Sequence, residues 1–462
     1  MGEDAISATP SRVRRRRADG FWRATAATAA AVVAVGAFGT IAHRGFGRVP
    51  FSVPSWPWYH SDPFYVFWDP RWPSGWGLVA PAAALGAAGG VVALFRSRAR
   101  PGVRVAASAV LLLLLALAVA AVGGGPAAWR APLEFTGEYP HGVAQVGDLP
   151  SFLRQFPERL ASLPSHAAGH PAGAMVLYAL LARVWAGLDG AALLTVALGC
   201  LGALAVWGLA RDELGEEGGR WALALWVLSP MTVLYTATSA DAVFAVALAG
   251  AALAAHRGLV RRSWVWTVIG GVLLWVGSML TYAAVLLLVF LLVRAAGWLR
   301  REPGWVWRWA AATAGTVLAL AGLLWLATGY DPVAAVRATH AAYQAAPGSA
   351  RRPYLPWLVG DPIAFGGMLG VPLFAALVAR AGAVARQRAW ASFDAAMIAC
   401  LLAAAAWGFS RGEVERIFLF LVPLALVPVV RQLRAWQADL PAVAALLVAQ
   451  TLVVQLLFYT RW

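Results

Sequence analysis

WRAPLEFTGEYPHGVAQVGDLPSFLRQFPERLASLPSHAAGHPAGAM, residues Trp129–Met175, is the longest polar interval in a chain that is otherwise mostly compatible with hydrocarbon. It gathers carboxylates and histidines: Glu134, Glu138, His141, Asp148, Glu158, His166 and His170. Apolar runs flank it on both sides. Read as a large outer loop between two membrane helices, it sets the fold as an all-α polytopic bundle, the arrangement in which a spanning chain satisfies its own backbone.

Composition agrees. Hydrophobic residues make up 61% of the chain and charged residues 13%, and the mean hydropathy is +0.67. Those values exclude an ordinary soluble domain. The net charge of +15 invites a nucleic-acid reading. The arginines, however, fall in short clusters between apolar runs, where the positive-inside rule places them. The basicity is a topology signal, and no nucleic-acid partner is expected. Cys200 and Cys400 lie in separate apolar runs without metal or disulfide spacing. SRVRRRR at the N-terminus precedes an apolar run from Phe21, which reads as an uncleaved signal anchor with a basic cytoplasmic tail over 1–20.

Outward from the opening stretch, two extra N-terminal spans occupy 21–100, around an outer loop dense in Trp, Tyr, Phe and Pro. That loop is either an interfacial aromatic belt or a platform on which sugar rings or a lipid head group stack. Within the 125–171 loop, Phe152, Leu153, Phe156, Leu160 and Leu163 recur at helical spacing. The pattern predicts a short amphipathic helix lying on the membrane surface, with Asp148 or Ser151 as its cap. Four apolar segments follow between 172 and 255. If all four crossed, the basic HRGLVRR at 256–262 would fall outside, so either one of them is re-entrant or too short to cross, or the segments divide differently. A second outer loop is expected over 328–362, and the remaining helices occupy 363–462. The count comes to about 13 transmembrane helices with two long extracytoplasmic loops, taking about 20 residues per crossing.

The outer loops carry two kinds of group. The first offers carboxylates. The second loop and the 410–416 turn offer Arg337, His340, Tyr343, Arg351, Arg352, Tyr354, Arg411, Glu413, Glu415 and Arg416. Arginine suits planar phosphate recognition, although a solvated basic turn accounts for the same residues. Asp241 in TSADAVF is either a helix cap or an ionisable group placed for function. His166 and His170 are four apart, but Gly169 and Pro171 interrupt a regular helix and no HExxH is present. A divalent metal remains possible, and no cofactor is assigned.

The layout resembles the GT-C superfamily of polytopic glycosyltransferases, and most of all its mannosyltransferase and aminoarabinose-transferase branch. The resemblance rests on the acidic first large loop, on HPAG (170–173) at the start of the next helix, on LSPMTVLYTATSAD (228–241), and on EVERIFLFLVP (413–423). It covers roughly residues 103–430, taking 101–327 as the core. The resemblance implies a polyprenyl-phosphate sugar donor and a glycan, lipid or protein acceptor of the cell envelope. It implies inverting transfer on the outer face of the cytoplasmic membrane, with a loop carboxylate as base. Asp148 is the first choice of base and Glu138 the second. Arg351, Arg352 and Arg416 are assigned to the lipid phosphate, and His166, His170, Asp241, His340, Tyr343, Tyr354, Glu413 and Glu415 to the substrate site. A pair of adjacent acids, common in the family's loop, is absent here. The rival reading is a secondary transporter or a flippase of lipid-linked glycans.

Overall fold

The structure is a computed structural model that describes residues 10–46, 66–68, 75–237, 239–345, 354–408 and 410–460. It is helical almost throughout. The only strand pairing among the described residues joins β1 (Val66–Trp68) antiparallel to β2 (Phe458–Thr460), with Phe67 opposite Tyr459.

α1 (Pro10–Phe46), α2 (Trp76–Arg96) and α3 (Pro101–Ala120) open the bundle. Pro101 takes the first turn of α3, where its missing N–H leaves nothing unpaired. The polar stretch that follows is neither a loose loop nor a surface helix. Prolines at 126, 132, 140, 150, 157, 164 and 171 recur through it. Each suits the first turn of a helix and stops the one before, so the chain folds into short turns. These include α4 (Val143–Val146), α5 (Leu149–Arg154), α6 (Phe156–Arg159) and α7 (Ser165–Ala168), interleaved with 3-10 turns such as Tyr139–Gly142.

The amphipathic helix expected on the membrane surface is corrected by this arrangement. Gln155 breaks it into α5 and α6. Phe152, Leu153, Phe156, Leu160 and Leu163 are all buried, in one cluster with Met175, Tyr178, Phe244, Leu280 and Tyr330. The apolar period was read correctly; what covers it is protein.

α8 (Ala172–Val184), α9 (Leu188–Cys200), α10 (Gly202–Leu228), α11 (Pro230–Thr236) and α12 (Ala240–Arg261) come next. α10 is two helices, because Gly215 has φ 76° and ψ −175° and reverses the chain there. Only glycine adopts that conformation freely. α8 is, together with α9, among the shortest helices between 172 and 255. It begins where Gly173 meets Met279, and beyond its far end Asp189 in the first turn of α9 pairs with Arg130 of the same loop at 3.7 Å. Both its ends therefore lie at the loop end of the bundle. Its 13 residues span about 20 Å, short of the hydrocarbon thickness of about 30 Å.

The chain continues through α13 (Trp264–Leu280), α14 (Ala284–Leu299), α15 (Pro303–Thr328) and α16 (Pro332–Ala345). It ends with α17 (Tyr354–Leu369), α18 (Val371–Arg386), α19 (Phe393–Trp407), α20 (Val414–Ile417), α21 (Val422–Ala435) and α22 (Leu440–Leu457). The second loop is thus shorter than expected. α16 is helical within it and packs on α6, and α17 starts at Tyr354 rather than beyond Pro362. YLPWLV is apolar enough to carry the helix, and Pro356 sits in its tolerant first turn.

Six stretches are long and apolar enough to cross a membrane: Ala18–Ala37, Pro101–Ala120, Leu188–Leu228 (which contains the Gly215 reversal), Ala240–Arg261, Pro303–Thr328 and Leu440–Leu457. The outer surface of the bundle is apolar too, with Leu318, Leu323 and Leu326 of α15 exposed, as suits contact with lipid.

The end opposite the loops is laced with ion pairs. Glu213 meets Arg294 at 3.0 Å and Arg431 at 3.6 Å, and Asp212 meets Arg257 at 2.6 Å and Arg261 at 2.7 Å. Asp394 holds Arg380 and Arg431, and Arg104 reaches Glu216. These pairs fasten the Gly215 reversal to α3, α12, α14 and α21. Removing one partner of a buried pair strands the other, at about 3–5 kcal/mol.

Replacing Phe156 by Ala is expected to destabilise the protein by about 3–5 kcal/mol, the range for a buried aromatic. Unfolding in detergent micelles measures it. An unchanged midpoint would return this face to the membrane surface.

Candidate functional site

Three separate parts of the sequence meet at the loop end. The first is the folded loop. Glu138 is buried, and its Oε1 lies 2.7 Å from His166 Nδ1. The backbone N–H of His166 donates to Gly137 O at 3.0 Å, so a main-chain and a side-chain bond tie the two segments together. Gly137 permits this approach, since a Cβ there would lie 2.4 Å from Ser165 Oγ. Tyr139 stacks on Tyr178 at 5.0 Å with its edge toward His170 and Phe244. Burial, then Asp241 and Glu138, push its phenol well above the ordinary value.

His170 ends the loop. Its Nδ1 lies 3.2 Å from Leu280 O, a carbonyl at the end of α13 that takes a donated N–H and so fixes the tautomer. Its ring lies 5.2 Å from that of Phe244. Burial pulls the imidazole below its ordinary value, while Asp241 acts the other way.

The second part is the start of α12. Ser239 is the cap there, and its Oγ donates to Asp241 Oδ2 at 2.8 Å. Asp241 is thereby free of capping duty. It points to the third part, the turn leading into α20, where Arg416 Nη1 lies 3.3 Å away. Arg416 also holds Glu413 at 3.0 Å, and Glu138 acts on it through space. Carboxylates from loop, α12 and turn therefore surround one guanidinium. Glu415, next to it in sequence, is completely buried, and neither of its carboxylate oxygens has a hydrogen-bond partner among the described residues.

The remaining expected residues lie elsewhere. Asp148 is exposed and caps α5, with its Oδ2 accepting the Ser151 N–H at 3.0 Å. It is not brought to Arg416. His340 is exposed and Tyr343 half-buried on α16. Tyr354 braces the turn, its hydroxyl donating to Ala406 O at 2.5 Å. Glu134 pairs with Arg130, His141 contacts Leu133 O, and Glu158 is exposed. Arg351 and Arg352 lie outside the described residues. No group of three or more His, Cys, Asp or Glu arranged to hold a metal ion occurs among the described residues.

Sequence reasoning missed Tyr139, Tyr178 and Phe244. Phe244 carried a readable signal, because three residues after Asp241 it shares that residue's helix face. Tyr178 carried none, since an aromatic in an apolar run reads as core. No protein-family model, no curated protein and no solved structure matches this chain.

Asp148 yields a pH test. The Ser151 hydroxyl and then its backbone N–H hold the Asp148 carboxyl below the ordinary value. A depressed carboxylate stabilises the fold at pH above its unfolded value and loses that effect as pH falls through the folded one. Asp148→Ala should therefore unfold earlier than the native chain at neutral pH and converge with it in acid. Unfolding midpoints across a pH series measure this, and a gap persisting in strong acid would rule out the cap.

Proposed function

We propose that this chain is a multi-pass membrane glycosyltransferase of the GT-C kind. It moves a sugar from a polyprenyl-phosphate donor to a glycan, lipid or protein acceptor of the cell envelope. The observation that carries this reading is the meeting of the Glu138–His166 pair with the Asp241–Arg416–Glu413 group. One carboxylate is held by an imidazole, and one guanidinium stands close by.

The chemistry asks for those two kinds of group. The acceptor hydroxyl oxygen forms a bond to the anomeric carbon as the bond from that carbon to the phosphate oxygen breaks. The electron pair leaves with the phosphate, and the hydroxyl proton goes to a carboxylate. A base must stand at the acceptor oxygen, and fixed positive charge must meet the departing phosphate in a partly dry site. Glu138 is the base in this reading, held by His166. Asp148, in full solvent and occupied by its cap, is set aside. Arg416 meets the phosphate, with Arg351 and Arg352 supplied by the segment before α17. A single displacement inverts the sugar and needs only one base.

Thirteen legs through the cytoplasmic membrane fit the helices described, with α8 left out of the count. The arginine-rich end then faces the cytoplasm by the positive-inside rule, and the site faces outward. The second reading, a transporter or flippase, draws on two interrupted helices that meet inside the bundle. Ser229, at the break between α10 and α11, donates to Leu369 O at 2.8 Å, next to the break at Gly370. Broken helices of this kind line transport sites.

Purified protein with radiolabelled polyprenyl-phosphate sugars and envelope acceptors should show transfer. Glu138→Gln should lose about 10²–10⁴-fold in kcat, the usual worth of a general base, whereas Asp148→Asn should keep its activity. Full activity in Glu138→Gln would remove the base assignment. Movement of intact lipid-linked sugar across liposomes without transfer would favour the transporter.

A further inference from the structure

The guanidinium at the centre of the site stands on a turn with three left-handed residues. Between α19 and α20 the backbone is left-handed at Gly408 (φ 58°), Gly412 (φ 84°) and Glu413 (φ 62°). Two glycines accept that conformation readily, but Glu413 does not, and such residues persist only where their surroundings over-determine them. Glu413 is also the cap of α20. Its carbonyl accepts the N–H groups of Arg416 and Ile417 at 3.0 Å each. The direction in which Arg416 leaves the backbone is therefore set by the conformation at 412–413.

α17 supplies the support, at two points. At its start the Tyr354 hydroxyl donates to Ala406 O. The Arg411 guanidinium lies over the Tyr354 ring, 5.6 Å from its centre, while its Nε donates to Gly408 O at 3.0 Å. Two turns on, Asp361 is completely buried, and its Oδ1 accepts the Gly412 N–H at 3.0 Å. That bond acts on the residue immediately before the strained one. A buried carboxylate is a costly way to brace a turn, and an apolar side chain would serve if packing alone were needed.

We propose that Asp361 is a positioning residue for Arg416. It fixes Gly412, hence Glu413, hence the line along which Arg416 reaches Asp241 and the departing phosphate. The phosphate part rests on the function proposed above; the positioning part does not. Asp361 offers the Gly412 N–H an acceptor oxygen, and in this proposal that oxygen is what the turn takes from it. Asparagine keeps the oxygen and removes the charge.

Asp361→Ala, Asp361→Asn, Arg416→Lys and the Ala/Lys double variant of the full chain decide this by two readouts. The first is hydrogen–deuterium exchange of peptides covering 410–417. It should rise about tenfold in Asp361→Ala, the loss of one buried hydrogen bond, and stay at the native rate in Asp361→Asn. The second is steady-state transfer. Asp361→Ala should show the same division between donor KM and kcat as Arg416→Lys, the double variant should be no worse than Arg416→Lys alone, and Asp361→Asn should stay within about twofold of native. Native exchange in Asp361→Ala, equal damage in Asp361→Asn, or additive effects in the double variant would overturn the proposal. Should the alanine variant fail to fold, the asparagine variant decides: native exchange supports the role and raised exchange ends it. If the native chain transfers no sugar, the functional reading fails and the exchange result still settles Asp361.

Discussion

The ion pair between Asp241 and Arg416, 3.3 Å apart with both side chains about nine-tenths covered, joins parts of the chain 175 residues apart. Such a pair repays its desolvation only when each member has further partners. Asp241 has the Ser239 hydroxyl, and Arg416 has Glu413. Those additions depend on structure around them. Ser239 must cap α12 so that Asp241 need not, and Glu413 must be held left-handed. The loop closes over the pair from the third side, placing Glu138 and His170 within its field. Tyr139 and His170 of the loop also meet Phe244 of α12, and the pair adds α20 to that contact.

The two ends of the bundle use charge differently. At the arginine-rich end two acids of RDELGEEGGR, Asp212 and Glu213, are each met by two arginines from other helices. At the loop end the balance is reversed. Glu138, Asp241, Glu413 and Glu415 lie near Arg416, so acid exceeds base among the described residues. An uneven, partly dry cluster of ionisable groups is a candidate functional site. Structural ion-pair networks also perturb ionisable groups, so it is the imbalance, rather than the burial, that separates the two ends.

Much of the architecture could be read from residue pattern. Apolar runs, arginine clusters and turn prolines were enough for an all-helical membrane bundle with its charged loops at one end. They also exposed a conflict between the number of apolar segments and the charges between 172 and 255. The site was legible in part. Glu138, His170, Asp241, Glu413 and Arg416 were all named, because ionisable residues are rare in such a chain and stand out. Choosing among them was not possible from sequence, since Asp148 and Glu138 differ in burial rather than in type. Asp148 precedes a Leu-Pro-Ser turn and becomes its cap. Glu138 precedes Tyr-Pro, and no side-chain cap forms there, so its carboxylate is left for His166. The partner of an amphipathic stretch was equally hidden, because the same period suits a bilayer surface and a protein groove. Asp361 was missed because GDP reads as the end of a loop when the helix in fact began at Tyr354.

The interrupted helices are held together by side chains from their neighbours. A break inside hydrocarbon frees backbone groups that must find partners. At Gly370 they find them in one side chain of α22: Gln450 accepts from Val371 N at 2.9 Å and donates to Gly367 O at 2.5 Å. Ser229 Oγ takes Leu369 O from the other side. Space is equally closed, for a Cβ on Gly370 would lie 2.3 Å from Leu447 and 3.4 Å from Pro230. A hinge for alternating access would have to break these bonds in every cycle, and nothing described at the joint stands ready to replace them. A fixed joint serves another purpose. It locks α17 against α11 and α22, so that Asp361, two turns earlier on the same helix, meets Gly412 at a constant distance. Rigid placement of a cation beside a base is what the proposed group transfer would require.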